Sequence, residues 1–246
     1  MAHPVFFADD LDDAAPGSTV VLDGPEAHHA AHVVRLRSGE PVDVVDGRGR
    51  RIKGTVVDAG RTQVSVAVIS VVDEEPVTPR IVVVQALAKG DRGERAVETL
   101  TEVGVDVIIP WAAAHAVSQW KGDKAERGVD KWRTTSRSAA KQARRARWPE
   151  VRSLVETAHV RDIVESAALA VVLDENATVP LSTVQVPLDG DIVVIVGPEG
   201  GISESERREF ESWGARAARL GPTILRTSTA GTVAAGVLLA RTDRWS

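Results

Sequence analysis

The rhythm of apolar positions changes near residue 80. Before it, Thr19–Leu22 (TVVL), Pro41–Gly47 (PVDVVDG) and Thr62–Val72 (TQVSVAVISVV) alternate or run apolar with β-branched residues. That is the pattern of short strands, and Asp46-Gly47 is a turn signal between two of them. One helix is predicted from about Pro25 to Arg35. Several short strands with one helix predict a small β-barrel over residues 1–72. Asp73–Arg80 (DEEPVTPR) carries two prolines and three acids and reads as a linker, placed at 73–79.

From residue 80 to 246 the pattern predicts an α/β domain with a mainly parallel sheet. Arg80–Ala88 (RIVVVQALA) is a continuous apolar run of the kind buried on both faces. In the helix that follows, Ala96, Val97, Leu100 and Val103 share a face, with Asp91 and Glu94 as a capping pair and Gly104 as terminator. VDVIIP is the next strand. A basic helix is predicted over about Asp130–Arg147, stopped by Trp148-Pro149. Further strands fall at Leu169–Glu175, Asp191–Gly197 and Ala218–Leu220, and helices at about 160–167, 204–213 and 228–241.

Composition alters this picture little. Apolar residues make up 43% and charged residues 26% of the 246, an ordinary globular balance. No apolar run approaches the roughly 20 residues of a membrane span, so no membrane partner is expected. With no cysteine, thiolate chemistry and disulfides are excluded, which fits a cytoplasmic protein. His28, His29 and His32 lack a fitting fourth ligand, so no metal is expected.

Charge matters more. The net value is −5, yet basic residues crowd the stretch from Lys121 to Arg152, including Arg144, Arg145 and Arg147. A second group holds Arg48, Arg50, Arg51 and Lys53. Such local basic surface suits a polyanion on one face, although solvated helix faces would look the same.

The candidate chemistry lies near the carboxyl end. In DIVVIVGPEGGISESE an apolar strand stops at Gly197, a glycine-rich turn follows, and Ser203 with Glu206 forms a capping box. The loop joins a strand's carboxyl end to a helix N-terminus, where open α/β sheets bind ligands. Gly200 and Gly201 let backbone atoms approach a ligand closely. Neither a phosphate-loop lysine nor a dinucleotide fingerprint is present. A purely structural turn remains the alternative. A second segment, LGPTILRTSTAGTVAAGVLLA, pairs a loop at Gly221-Pro222 with a helix rich in small residues.

Together, GPEGGISESE and LGPTILRTSTA resemble the two ligand-loop motifs of the RsmE family, bacterial 16S rRNA uridine N3-methyltransferases of the SPOUT class. HHAAHVVRLRSGE, LAKGDRGERAVETLTEVGV and AAKQARRARWPEV are similar to further family segments, so the likeness covers nearly the whole chain. Two positions depart from it: Ser228 and Lys141 stand where many members carry Glu.

The resemblance implies a SPOUT domain with a trefoil knot, preceded by a PUA-like barrel. It implies S-adenosylmethionine (SAM) as methyl donor, held mainly by backbone at Leu173, Gly197, Gly200, Gly201, Leu220, Gly221 and Leu225. Just past the SAM loop, Arg226 is expected to be the cation that stabilises a uridine anion, with a structural salt-bridge partner as the alternative, and Glu199 a base or, more simply, a loop-ordering carboxylate. RNA contacts are implied at His29, Arg35, Lys89, Arg92, Arg144, Arg145 and Arg147. The partners would be 16S rRNA or the small ribosomal subunit, and a second copy in a homodimer. A non-catalytic RNA-binding or ribosome-assembly protein on the same fold is the alternative.

Overall fold

A computed structural model describes residues 3–60 and 62–245. The chain divides into two compact units, Met1–Pro76 with Ala140–Trp148, and Val77–Ala139 with Pro149–Ser246. Residues 140–148 thus fall in the same unit as the N-terminal strands.

That unit is built on a five-stranded sheet in the order β1-β3-β4-β5-β2. The strands are β1 (Val5–Phe7), β2 (Thr19–Leu22), β3 (Pro41–Val45), β4 (Arg50–Ala59) and β5 (Val64–Asp73). Register shifts at Lys53/Gly54 and Val56/Asp58 interrupt the long β4–β5 ladder, and such bulges bend a sheet. Phe6, Leu22, Val42, Val44, Ile52, Val64 and Val66 fill its core. The β3–β4 turn is fixed by Asp46, whose Oδ1 accepts the N–H groups of Arg48, Gly49 and Arg50 at 2.7–3.0 Å.

Helix α1 (Gly24–His28) runs into a π-helical stretch, His29–Val34, where the sequence suggested one regular helix. It ends at Arg35 in the left-handed region, φ 60°.

The second unit carries a seven-stranded sheet in the order β12-β10-β11-β6-β7-β8, with β9 also on β7. Its strands are β6 (Arg80–Ala86), β7 (Val107–Ala112), β8 (Glu150–Val151), β9 (Val155–Glu156), β10 (Leu169–Leu173), β11 (Asp191–Val196) and β12 (Arg216–Ala218). Every pairing is parallel. Central strands β6 and β11 are buried almost throughout, which is why they read as unbroken apolar runs.

The helices are α2 (Arg92–Val103), α3 (Asp123–Gln142), α4 (Thr157–Glu165), α5 (Glu204–Ser212) and α6 (Thr227–Leu239). Asp91 precedes α2 without the side-chain cap that its spacing suggested, whereas Gly104 ends it at φ 104°. From edge strand β12 the chain returns across the sheet, and α6 packs on α2, β11 and β6. Small residues allow that approach: a Cβ on Gly231 would stand 3.1 Å from Leu100 and 3.3 Å from Val196. No helix among the described residues is long and apolar enough to cross a membrane.

The basic helix predicted over Asp130–Arg147 is displaced: α3 begins at Asp123 and stops at Gln142. Arg144 then adopts φ 56°, a conformation that ends a helix. The segment beyond it pairs with the β3–β4 turn, with Gly49 N–H on Ala146 O at 3.1 Å and Trp148 N–H on Gly47 O at 2.9 Å. A Cβ at Gly47 would lie 2.7 Å from the Trp148 ring, so the turn glycine also makes room for that tryptophan.

Candidate active site

At the carboxyl ends of β10, β11 and β12 lies a cavity of about 710 Å³. That falls within the roughly 300–1,000 Å³ of small-molecule sites. Three loops wall it, at Leu173–Asn176, Gly197–Ile202 and Arg219–Arg226. Leu173, Gly197, Gly200, Gly201, Leu220, Gly221 and Leu225 all stand in this lining, as do Glu199 and Arg226.

The two C-terminal loops differ in how they are held. Gly197–Ser203 is tightly tied. Ser203 Oγ accepts the Glu206 N–H at 3.2 Å and Glu206 Oε2 accepts the Ser203 N–H at 3.0 Å, completing the capping box. Glu206 Oε1 reaches further, to the Ala114 N–H at 2.8 Å and the Thr157 hydroxyl at 3.0 Å. The loop also abuts the chain after β7: a Cβ on Gly200 would sit 3.0 Å from His115 O. At Gly201 the backbone takes φ 74°, which glycine adopts without penalty.

By contrast, the backbone N–H and C=O groups of Leu220–Leu225 form no hydrogen bond with any described residue. Free backbone donors and acceptors beside a cavity are what a polar ligand needs. A Cβ built on Gly221 would meet nothing within 4 Å, so this glycine leaves space rather than accommodating protein.

Glu199 Oε1 accepts from the Arg92 guanidinium at 2.9 Å and the Lys89 N–H at 3.1 Å. Burial pushes its carboxyl up, but its own backbone N–H, Arg92 and the Lys89 N–H outweigh that and hold it below the ordinary value. A carboxylate so held accepts a proton poorly. Arg92 therefore spends its charge on the loop. Arg226, the N-cap of α6, is exposed at the rim and has no side-chain partner among the described residues.

Two residues, one lining the cavity and one behind it, were not singled out from the sequence. Thr227 Oγ1 donates to Gly197 O at 2.7 Å and accepts from Gln85 Nε2 at 3.1 Å. Gln85 is fully buried and its Oε1 has no partner, a state that costs about 1–3 kcal/mol. A lone polar residue inside the apolar run RIVVVQALA was the available signal.

The other basic residues lie in the N-terminal unit. Arg35 and Arg144 are exposed and His29 is half-buried, its ring 6.0 Å from that of Phe6. Arg147 instead turns inward, donating to Glu74 O at 2.7 Å, and Arg145 Nε donates to Arg147 O. Lys141, one of the two departures, pairs with Glu26 at 2.6 Å. His28 and His32 stack at 4.6 Å, and no group of three or more metal-binding side chains is arranged for an ion among the described residues.

Comparison with known proteins agrees with this picture. Residues 73–239 match an RNA methyltransferase domain family, and residues 22–69 match the RNA methyltransferase PUA domain. The ribosomal RNA small subunit methyltransferase E of Mycobacterium bovis is 41% identical, covering 100% of this chain and 94% of its own. The Bacillus subtilis protein of that name is 26% identical over 92% of this chain and 91% of its own. Among solved structures, a putative methyltransferase from Legionella pneumophila in complex with SAM superposes with TM-score 0.83 at 27% identity, covering 98% and 99% of the two chains. The small subunit methyltransferase E of Neisseria gonorrhoeae shares the fold with TM-score 0.85 at 24% identity, covering 98% of each chain.

Proposed function

The chain belongs to the ribosomal RNA small subunit methyltransferase E family, and on that premise we propose that it methylates N3 of one uridine in 16S rRNA with SAM as donor. The observation that carries the reading is the uncommitted backbone of Leu220–Leu225, lining one cavity with the glycine loop Gly197–Gly201. Main-chain groups of these loops would hold the adenosine and methionine parts, with Leu173, Leu220 and Leu225 as apolar walls. Gly221 leaves the space that a side chain would fill. Bound there, SAM supplies a methyl group activated by its sulfonium.

The protein's own residues do the rest. Uridine N3 is weakly acidic; its proton passes to solvent water, and the anion left behind is the nucleophile. The guanidinium of Arg226, exposed at the rim of the cavity, stabilises negative charge spread over O2 and O4. Glu199, tied to Arg92, orders the loop rather than taking the proton. Because N3 lies on the Watson–Crick edge, the uridine must be unpaired or flipped out to react.

Arg35, Arg144 and His29 of the PUA-like unit, and Lys89 of the catalytic unit, would contribute phosphate and sugar contacts. The family resemblance further suggests a trefoil knot, formed as α6 threads back from β12, and a homodimer working in the cytoplasm on rRNA or the small subunit.

Isothermal titration with SAM tests the cavity assignment. Binding that is lost in Gly221→Val, with the fold unchanged, supports it. A folded parent protein that ignores millimolar SAM returns the chain to a non-catalytic RNA-binding role.

A further inference from the structure

Gln85 touches none of the cavity, yet it is the one polar side chain in the core of β6. It stands at that strand's carboxyl end, in register with Val196 of β11. Its Nε2 reaches Thr227 Oγ1 at 3.1 Å, Ala86 O at 3.2 Å and Thr227 O at 3.4 Å.

Proton bookkeeping gives this contact a direction. Gly197 O can only accept and an amide nitrogen can only donate, while the Thr227 hydroxyl has one proton. That proton therefore goes to Gly197 O, 2.7 Å away, and the hydroxyl accepts from Gln85. A flipped amide would aim a second acceptor at the same proton. The arrangement runs one way, from β6 through the first residue of α6 to the first residue of the glycine loop.

We propose that Gln85 is a positioning residue for the SAM site, fixing through Thr227 the spacing of the Gly197–Gly201 and Leu220–Arg226 loops. The buried, unpartnered Oε1 speaks for this role. An apolar side chain of similar size would fill the same space without an orphaned acceptor, so the amide is not there for stability alone. This assignment rests on the cavity being the SAM site.

The test uses the full chain with Gln85→Leu, Thr227→Val, Thr227→Ser and the Gln85→Leu/Thr227→Val pair. Thermal midpoint and SAM affinity by titration are read together. Gln85→Leu should keep or raise the midpoint while weakening SAM binding about tenfold, the value of one hydrogen bond. Thr227→Val should weaken it similarly, Thr227→Ser should restore binding, and the pair should lose no more than either single change. Amide exchange of residues 197–203 in the ligand-free protein should quicken in Gln85→Leu.

Parental SAM affinity in Gln85→Leu and Thr227→Val overturns the relay while leaving the cavity assignment standing. A parent that binds no SAM overturns both. If Gln85→Leu fails to fold, Thr227→Val against Thr227→Ser carries the decision, and equal affinity in those two also overturns the relay.

Discussion

Glu206 Oε1 accepts the Ala114 N–H at 2.8 Å, so the carboxylate that caps α5 also fastens the chain beyond β7 to the cavity loop. The same oxygen takes the Thr157 hydroxyl at 3.0 Å. One carboxylate, 4% exposed, thus joins three segments that are distant in sequence.

Its acid response follows. Burial pushes the Glu206 carboxyl up, but the Ala114 N–H, the Ser203 hydroxyl and N–H, and the Thr157 hydroxyl pull it further down. A folded value below the unfolded one means that its stabilisation is complete above about 4.5, the ordinary value, and is lost as pH falls through the lower folded value. Glu206→Gln should cost about 1–3 kcal/mol at neutral pH, and the gap to the parent should shrink below that range. Urea midpoints across pH would show it; a gap independent of pH would contradict the ionised carboxylate.

Gly200 and Gly221 should fail differently. A Cβ at Gly200 meets His115 O at 3.0 Å, whereas one at Gly221 meets no protein atom within 4 Å. Gly200→Val should lower both thermal midpoint and SAM affinity, because the loop must move. Gly221→Val should lower affinity alone. Equal melting losses would mean that Gly221 is a structural glycine.

Removing the Glu199 charge should loosen its loop. Glu199→Gln and Arg92→Ala should each raise KM for SAM several-fold, the scale of one charge-assisted hydrogen bond or less, with the pH–rate profile unchanged in shape. Loss of a limb from the profile in Glu199→Gln would make it a base instead.

Arg226→Ala should lower kcat by about 10²–10³, the scale of losing one oxyanion donor, while SAM affinity holds. Arg226→Lys should recover part of the loss. A change confined to SAM affinity would place Arg226 in cofactor binding only.

The arginines of the basic segment should separate by role. Arg144→Ala should weaken RNA binding and flatten its salt dependence by about one phosphate contact. Arg147→Ala should lower the melting midpoint, because its guanidinium serves Glu74 O at 2.7 Å. A reduced salt slope without destabilisation in Arg147→Ala would reverse that assignment.

These residues also mark what the sequence could and could not disclose. The buried strands and the Ser203–Glu206 box follow from local pattern, and they stand as read. Strand β4, RRIKGTVVDA, went unread because Gly54 and its charged residues break the alternation; its core positions are Ile52 and Val56. The basic segment was read as helix because nothing local requires Arg144 at φ 56°; that turn comes from pairing with the β3–β4 turn, a contact distant in sequence. Gln85 and Thr227 are 142 residues apart, so their hydrogen bond leaves no local pattern at all.

The most direct measurement is nucleoside mass spectrometry of small-subunit rRNA, taken from cells lacking this modification and incubated with the protein and methyl-deuterated SAM. The account predicts label in 3-methyluridine at one site with the parent protein, and none with Gly221→Val. Label in another nucleoside, or an unlabelled RNA from a protein that binds SAM, would contradict it.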